Sequence, residues 1–299
     1  MSLWTDFLGA ETRYVSTPSF GRTRIAEAGK PDAEALILMH GIGGHLEAYA
    51  KNVVTLADRY HVVAFDFVGH GFSDKRLDVD YTPEAYAEHL RELMDALGIA
   101  RAHLSGESLG GWVGGKFALR YPDRVKRLVL NTSAGLPIVS EKGRQDLANL
   151  VELSKKSAGQ LPSFETVLAR MKWLVHPNNW GLLTDELVRT RLRIYNDPDA
   201  QRVAALVQKQ LSRNEADDLI AFERLSVETL FLWTRDNPVH DIAAAEAACA
   251  RTPRALLYVM NADAAHWPQY EAPEEFNSAL RSFLSTGECH DRRRGSKTA

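Results

Sequence analysis

Ala102–Pro122, AHLSGESLGGWVGGKFALRYP, decides how the rest of the chain is read. A short apolar run leads into Gly106-Glu107-Ser108-Leu109-Gly110, and a helix-compatible run follows. A serine on a tight strand-to-helix turn projects its hydroxyl beyond the sheet. Glycines two residues to either side let the backbone pass close by. Ser108 is therefore a candidate nucleophile, provided that a buried strand precedes it and a helix follows. A serine in an ordinary glycine turn is the plain alternative, and the surrounding segments argue against it.

Working outward, ALILMHGIGG (35–44) and HVVAFDFVGHGFS (61–73) each read as a buried strand opening into a glycine turn. TPEAYAEHLRELMDALGI (82–99) has Thr82 as N-cap, Pro83 in the first turn, an apolar face of Tyr86, Leu90, Leu93, Met94 and Leu97, and Gly98 as its stop. VKRLVLNTSAG (125–135) is a further strand. Continuous apolar strands alternating with helices predict a mostly parallel, doubly wound sheet covered on both faces, an α/β architecture.

From 135 to 225 the periodicity is helical with no convincing strand, as in EKGRQDLANLVELSKKSA, SFETVLARMKWLV and TDELVRTRLRIY. Alternation resumes with VETLFLW (227–233), ALLYVMN (255–261) and PEEFNSALRSFL (273–284). Residues 1–134 and 226–286 thus form two halves of one core, 135–225 an inserted helical cap, and 287–299, with its basic RRRGSKTA end, a disordered tail.

The 299 residues carry 36 Lys and Arg against 39 Asp and Glu, a formal charge of -3, which argues against nucleic acid as a partner. No apolar run reaches membrane-spanning length, and the N-terminus lacks a signal-peptide pattern. Cys249 and Cys289 stand far apart, as free thiols do in a reducing compartment. These features predict a cytoplasmic protein with no membrane partner, and homo-oligomerisation stays open; a small-molecule substrate and no metal or other cofactor are expected only from the site residues and the resemblance that follow.

His40-Gly41-Ile42-Gly43-Gly44 follows the first core strand, where a glycine loop brings backbone N–H groups toward the serine. The N–H groups of Ile42 and Leu109 are the candidate oxyanion donors. His266, in DAAHWPQYEAPEEFN (263–277), lies after the last strand and before the last helix, completing the order serine, acid, histidine. It is the candidate general base, later the acid. His40, His70, His103 and His240 are rivals outside that position, and His40 and His70 are assigned to shaping loops.

HGIGG, DFVGHGFSD, GESLGGW and AAHWPQYEAPEEFN together resemble the α/β-hydrolase superfamily over residues 10 to 285. The closer resemblance is to the meta-cleavage-product hydrolases, which break a C–C bond in 2-hydroxy-6-oxo-hexa-2,4-dienoates formed by aromatic ring fission. It rests on His266-Trp267, on Gly111-Trp112 after the serine and on a cap arginine. The resemblance implies an α/β-hydrolase core with a helical cap, a serine nucleophile and no cofactor. It also implies a role in degrading aromatic compounds, with Arg191 binding the substrate carboxylate and Trp267 lining the pocket. Trp173 and Phe164 are read as helix core before pocket wall. A carboxylesterase of the same fold and a non-catalytic ligand receptor on it are the alternatives.

Two departures stand out. The residue before the serine is often Asn in that family and is Glu107 here; its carboxylate would repel an anionic substrate unless it is turned away or neutralised. After the seventh strand the family pattern G-x-x-D falls on Thr234-Arg235-Asp236-Asn237, so an amide occupies the acid slot and a carboxylate stands one residue early. Asp236 is the preferred acid, through a loop shifted by one residue at Pro238, with Asn237 next to it in preference. Asp241 is read as the cap of the following helix.

Overall fold

The computed structural model describes residues 2–157, 161–214 and 218–289. The chain builds one eight-stranded sheet from β1 (Glu11–Thr17), β2 (Gly21–Ala28), β3 (Ala35–Met39), β4 (His61–Phe65), β5 (Ala102–Glu107), β6 (Val125–Asn131), β7 (Glu228–Trp233) and β8 (Ala255–Val259). Their order is β1-β2-β4-β3-β5-β6-β7-β8. β1–β2 and β2–β4 pair antiparallel, and every later pair is parallel. This is an alpha/beta hydrolase fold, with helices on both faces as the near-continuous apolar strands require.

The helices are α1 (Leu3–Asp6), α2 (Ala50–Leu56), α3 (Pro83–Ala96), α4 (Leu109–Arg120), α5 (Glu141–Ser157), α6 (Phe164–Leu174), α7 (Asp185–Tyr195), α8 (Pro198–Asn214), α9 (Ile242–Arg251), α10 (Pro268–Glu271) and α11 (Pro273–Thr286). α3 begins as its sequence predicts, with the Thr82 hydroxyl accepting the Ala85 N–H. Asp241 stands at the N-cap of α9, but its side chain does not cap. Its carboxylate instead accepts the Ser140 hydroxyl, tying the helix start to the segment before α5.

One core packs α3, α4 and α9 on one face of the sheet, and a second packs α2 and α11 on the other. Helices α5 to α8 fill the interval between β6 and β7. A third apolar cluster joins α6 and α7 to Trp267 and Tyr270. Residues 290–299, most of the expected tail, lie outside the described residues. Among the described residues no helix is long and apolar enough to cross a membrane. Cys249 and Cys289 form no disulfide.

The loop after β3 is pinned by buried charge. Arg24, on β2, donates through Nε to Asp66 at 2.7 Å and through its two terminal nitrogens to Glu47 at 3.0 and 2.7 Å. Asp66 also accepts the backbone N–H groups of Leu46 and Phe72, both at 2.7 Å. Burial alone would raise the Glu47 carboxyl, but His45 and Arg24 outweigh it and hold it well below the ordinary carboxylate range. A depressed folded pKa stabilises the fold fully above the unfolded value, about 4.3. That stabilisation shrinks as pH falls below this value toward the folded pKa. Glu47→Gln should therefore lower unfolding free energy at pH 7 by about 3–5 kcal/mol, because Arg24 loses a buried partner. The difference from wild type should narrow at pH 3, as measured by urea titration; an equal deficit at both pH values would assign the loss to packing.

Candidate active site

Ser108 sits between β5 and α4 with φ 51° and ψ −114°, a backbone setting that costs a non-glycine residue about 1–3 kcal/mol. The glycines make it attainable. A Cβ on Gly106 would lie 2.1 Å from the Gly110 carbonyl, and one on Gly110 would lie 2.3 Å from the Met39 oxygen. The turn is tied to its neighbours by Ser108 N–H to the Asn131 oxygen at 3.1 Å and by Ala134 N–H to the Ser108 oxygen at 3.0 Å. The Leu109 N–H, at the start of α4, has no hydrogen-bond partner among the described residues; nor has that of Ile42. Both are therefore available to an oxyanion. The Ile42 side chain is exposed, so what this residue presents to the interior is backbone.

His266 is held by its own loop. The Glu271 carboxylate accepts the N–H groups of Ala265 and Trp267, each at 3.0 Å, on either side of the histidine. The His266 N–H donates to the Leu174 oxygen of α6 at 2.9 Å, and the Thr132 hydroxyl donates to the His266 oxygen at 3.0 Å. The imidazole is buried and engaged at both nitrogens. Nδ1 lies 3.1 Å from Asn237 Oδ1, and Nε2 lies 3.1 Å from Glu107 Oε1. Asn237 Oδ1 also accepts the N–H groups of Val239 (3.0 Å) and His240 (3.3 Å). Those two donors fix which end of the amide is oxygen, so Nδ1 of His266 must carry the proton it shares with Asn237.

The expectation that a shifted loop would bring Asp236 to the histidine is not met. Asp236 points outward with its side chain 62% exposed, and it faces His176 at 3.8 Å. The loop instead keeps the strict register, with Asn237 buried beneath it. The reason is local. Asn237 Oδ1 caps the turn through the next two free N–H groups, a bond pattern that turns its side chain inward and its predecessor out. Asn237 Nδ2 is buried without a hydrogen-bond partner.

Glu107 does not confront the pocket as a bare charge. Its Oε2 accepts the Gly41 N–H at 2.6 Å, and its Oε1 meets His266, so both oxygens are occupied. Gly41 has to be glycine here, since a Cβ would come within 2.5 Å of Glu107 Oε1. His240, on the loop that carries Asn237, is the imidazole beside the serine: its Nε2 is 3.4 Å from Ser108 Oγ, while no hydrogen bond joins Ser108 to His266. Its ring centroid lies 5.5 Å from that of His266. Sequence order alone passed over Glu107 and His240 as site members. The signal for Glu107 was its break with the family pattern. His240 offered only its nearness to Asn237. His40 and His70 are buried, and desolvation pushes each down to about 3. His40 Nε2 accepts the Phe67 N–H at 3.1 Å, a loop-shaping contact.

Arg191 of α7 is 3% exposed and reaches the glycine loop. One terminal nitrogen donates to the Gly43 oxygen at 2.8 Å, an oxygen it shares with the Tyr195 hydroxyl at 2.8 Å. The guanidinium stacks 4.8 Å from the Trp267 ring centroid. Its Nε and Nη1 are buried with no partner. A guanidinium held on one edge by a backbone carbonyl, with donors left over, is suited to an anionic ligand. Phe164 and Trp173 pack at the margin of the cluster around α6 and α7, in line with a helix-core role. Among the described residues no group of three or more His, Cys, Asp or Glu could hold a metal ion.

Residues 34–273 match the family described as alpha/beta hydrolase fold. The chain belongs to that family and is an enzyme of hydrolase type. It is 27% identical over 287 residues to 2-hydroxymuconate semialdehyde hydrolase of Pseudomonas sp. (strain CF600), covering 92% of this chain and 97% of that one. It is 29% identical over 273 residues to 2-hydroxy-6-oxo-6-phenylhexa-2,4-dienoate hydrolase of Burkholderia cepacia, covering 89% and 92%. Among solved structures, a meta-cleavage product hydrolase from Pseudomonas fluorescens IP01 superposes with a TM-score of 0.75 at 26% identity, covering 94% of this chain and all of that one. A carboxylesterase from Bacillus subtilis superposes with a TM-score of 0.71 at 23% identity, which speaks for the fold alone.

The two candidates for orienting His266 differ in what substitution should do. Asn237→Asp replaces the unpartnered Nδ2 with an acceptor and puts a charge beside Nδ1, and it should keep or raise kcat. Asp236→Asn, at an exposed site, should change kcat by less than about threefold. Steady-state hydrolysis of a chromogenic ester by both variants checks this, and a large loss in Asp236→Asn alone would mean that the loop rearranges during turnover.

Proposed function

We propose that the protein is a serine hydrolase that cleaves a C–C bond in a carboxylated dienoate produced by aromatic ring fission. The observation that carries the reading is Arg191 of α7: a buried guanidinium stacked on Trp267, with Nε and Nη1 unpaired, hydrogen-bonded to the same glycine loop that offers the Ile42 N–H. A neutral ester gives such a cation nothing to neutralise, whereas a dienoate carboxylate does. The relatives described above are named as hydrolases of 2-hydroxymuconate semialdehyde and of 2-hydroxy-6-oxo-6-phenylhexa-2,4-dienoate, which supports the choice.

In this reading the carboxylate binds Arg191 and Trp267 lines the adjoining wall. As the family resemblance implies, the dienol is first converted to its keto form, and His266 moves the protons of that step. Its Nδ1 is fixed by Asn237, and its Nε2 exchanges Glu107 for the substrate. Ser108 Oγ then adds to the distal carbonyl, and the N–H groups of Ile42 and Leu109 donate to the developing oxyanion. The C–C bond breaks as the oxyanion collapses, and water releases the acyl group. No step calls for a metal or organic cofactor.

Ser108→Ala should abolish ester hydrolysis and slow C–C cleavage by orders of magnitude, read from the loss of dienoate absorbance; near-normal rates with both substrate types would remove the serine from the reaction. Arg191→Ala should weaken kcat/KM for an acidic dienoate by about 2–4 kcal/mol and leave a neutral ester much less affected. Equal losses on the two substrates would instead make Arg191 a support for the glycine loop.

A further inference from the structure

In a serine hydrolase a neutral imidazole nitrogen must face the hydroxyl it deprotonates. His266 does not meet that condition in this structure. Its Nδ1 proton is committed to Asn237 Oδ1, and its Nε2 is committed to Glu107 Oε1. The nitrogen facing Ser108 Oγ is Nε2 of His240, at 3.4 Å. The His240 main chain is fixed on both sides of the ring: its N–H donates to Asn237 Oδ1 at 3.3 Å, and its carbonyl accepts the Trp233 indole N–H at 2.9 Å.

We propose that His240 is a catalytic residue of this enzyme, the base that takes the proton of Ser108, while His266, paired with Glu107 and Asn237, serves the substrate. The proposal rests on the serine reading above. The two imidazoles then divide work that one histidine is expected to perform. Desolvation, with a smaller effect of the neighbouring His266, lowers His240 well below the ordinary histidine value, so it stands neutral and able to accept. As Ser108 attacks, its O–H bond breaks and the proton passes to His240 Nε2. The Oγ electron pair forms the new bond to the carbonyl carbon, and the C=O π pair moves to the oxygen. When that intermediate collapses, the imidazolium returns the proton toward the leaving carbon or oxygen. Part of the His240 surface is still open to solvent, so a small base can reach the position when the side chain is removed.

The test is the rate at which a fluorophosphonate labels Ser108, because that reaction reads serine nucleophilicity without the dienoate chemistry. Oγ bonds to phosphorus, fluoride leaves and the serine proton goes to the base. His240→Gln should label at least about 100-fold more slowly than wild type. His266→Gln should slow labelling far less while still abolishing dienoate turnover. Added imidazole should restore labelling to His240→Ala, a readout that a merely structural role would not move and one that also shows the variant to be folded. Labelling of His240→Gln within about threefold of wild type, or no imidazole rescue together with full loss in His266→Gln, would overturn the proposal. Ser108→Ala separates the two levels of inference. Unchanged labelling there removes the serine reading itself, whereas loss there with normal labelling of His240→Gln removes only His240.

Discussion

The site depends on one backbone constraint: Ser108 is held at φ 51° by a turn so tight that the carbonyl of Gly110 and the end of β3 lie within van der Waals contact of its neighbours. A strained residue persists only where the surroundings overdetermine it. Here the overdetermination is the parallel sheet, since β3, β5 and β6 run side by side and the Ser108 N–H bonds to the last residue of β6. The turn lifts the hydroxyl off the sheet and leaves the Leu109 N–H free. It also directs Glu107, the residue before the serine, into the Gly41 loop. The candidate nucleophile, one candidate oxyanion donor and the neighbouring carboxylate thus follow from a single turn.

The second organising feature is the handling of charge in a dry site. Glu107 is buried, a costly place for a carboxylate unless it is paired and hydrogen-bonded. His266 and the Gly41 N–H supply the partners. Around the same centre Asn237 offers an amide where a carboxylate is expected of the family. The charge missing on the Nδ1 side of His266 thereby has a counterpart on the Nε2 side. Beside this arrangement Ser108 meets His240 and not His266. The Glu107 carboxylate is thus already paired, while the Arg191 guanidinium keeps two unpartnered nitrogens.

Most of the core was legible because its signals are local. The elbow, the Thr82 cap, the strand alternation from β3 onward and the helical stretch between β6 and β7 each follow from residues within one or two turns of one another. Ser108 and His266 were readable as candidates from motif and order. The residue that meets His266 Nδ1 was not, because Asp236 and Asn237 are adjacent and a turn faces only one of them inward. Charge favoured Asp236. The free N–H groups of Val239 and His240 favoured Asn237, and the hydrogen bonds of the turn prevailed. Asp241 shows the same limit: its N-cap position was readable, but its bond to Ser140, 101 residues earlier, was not.

By itself, the sequence determined the α/β hydrolase architecture, the candidate nucleophile and the candidate histidine, since each is written in short-range pattern and chain order. Only the tertiary structure decided which groups those two residues face. Glu107, Gly41, His240 and Arg191 come from four separate segments, and their contacts depend on the packing of the β3, β5 and β7 loops beneath α7. Hydrogen bonds of about 3 Å between side chains far apart in sequence have no local signature. A burial cost resolved by a distant partner, as Glu107 is by His266, appears in the sequence only as an unexplained charge.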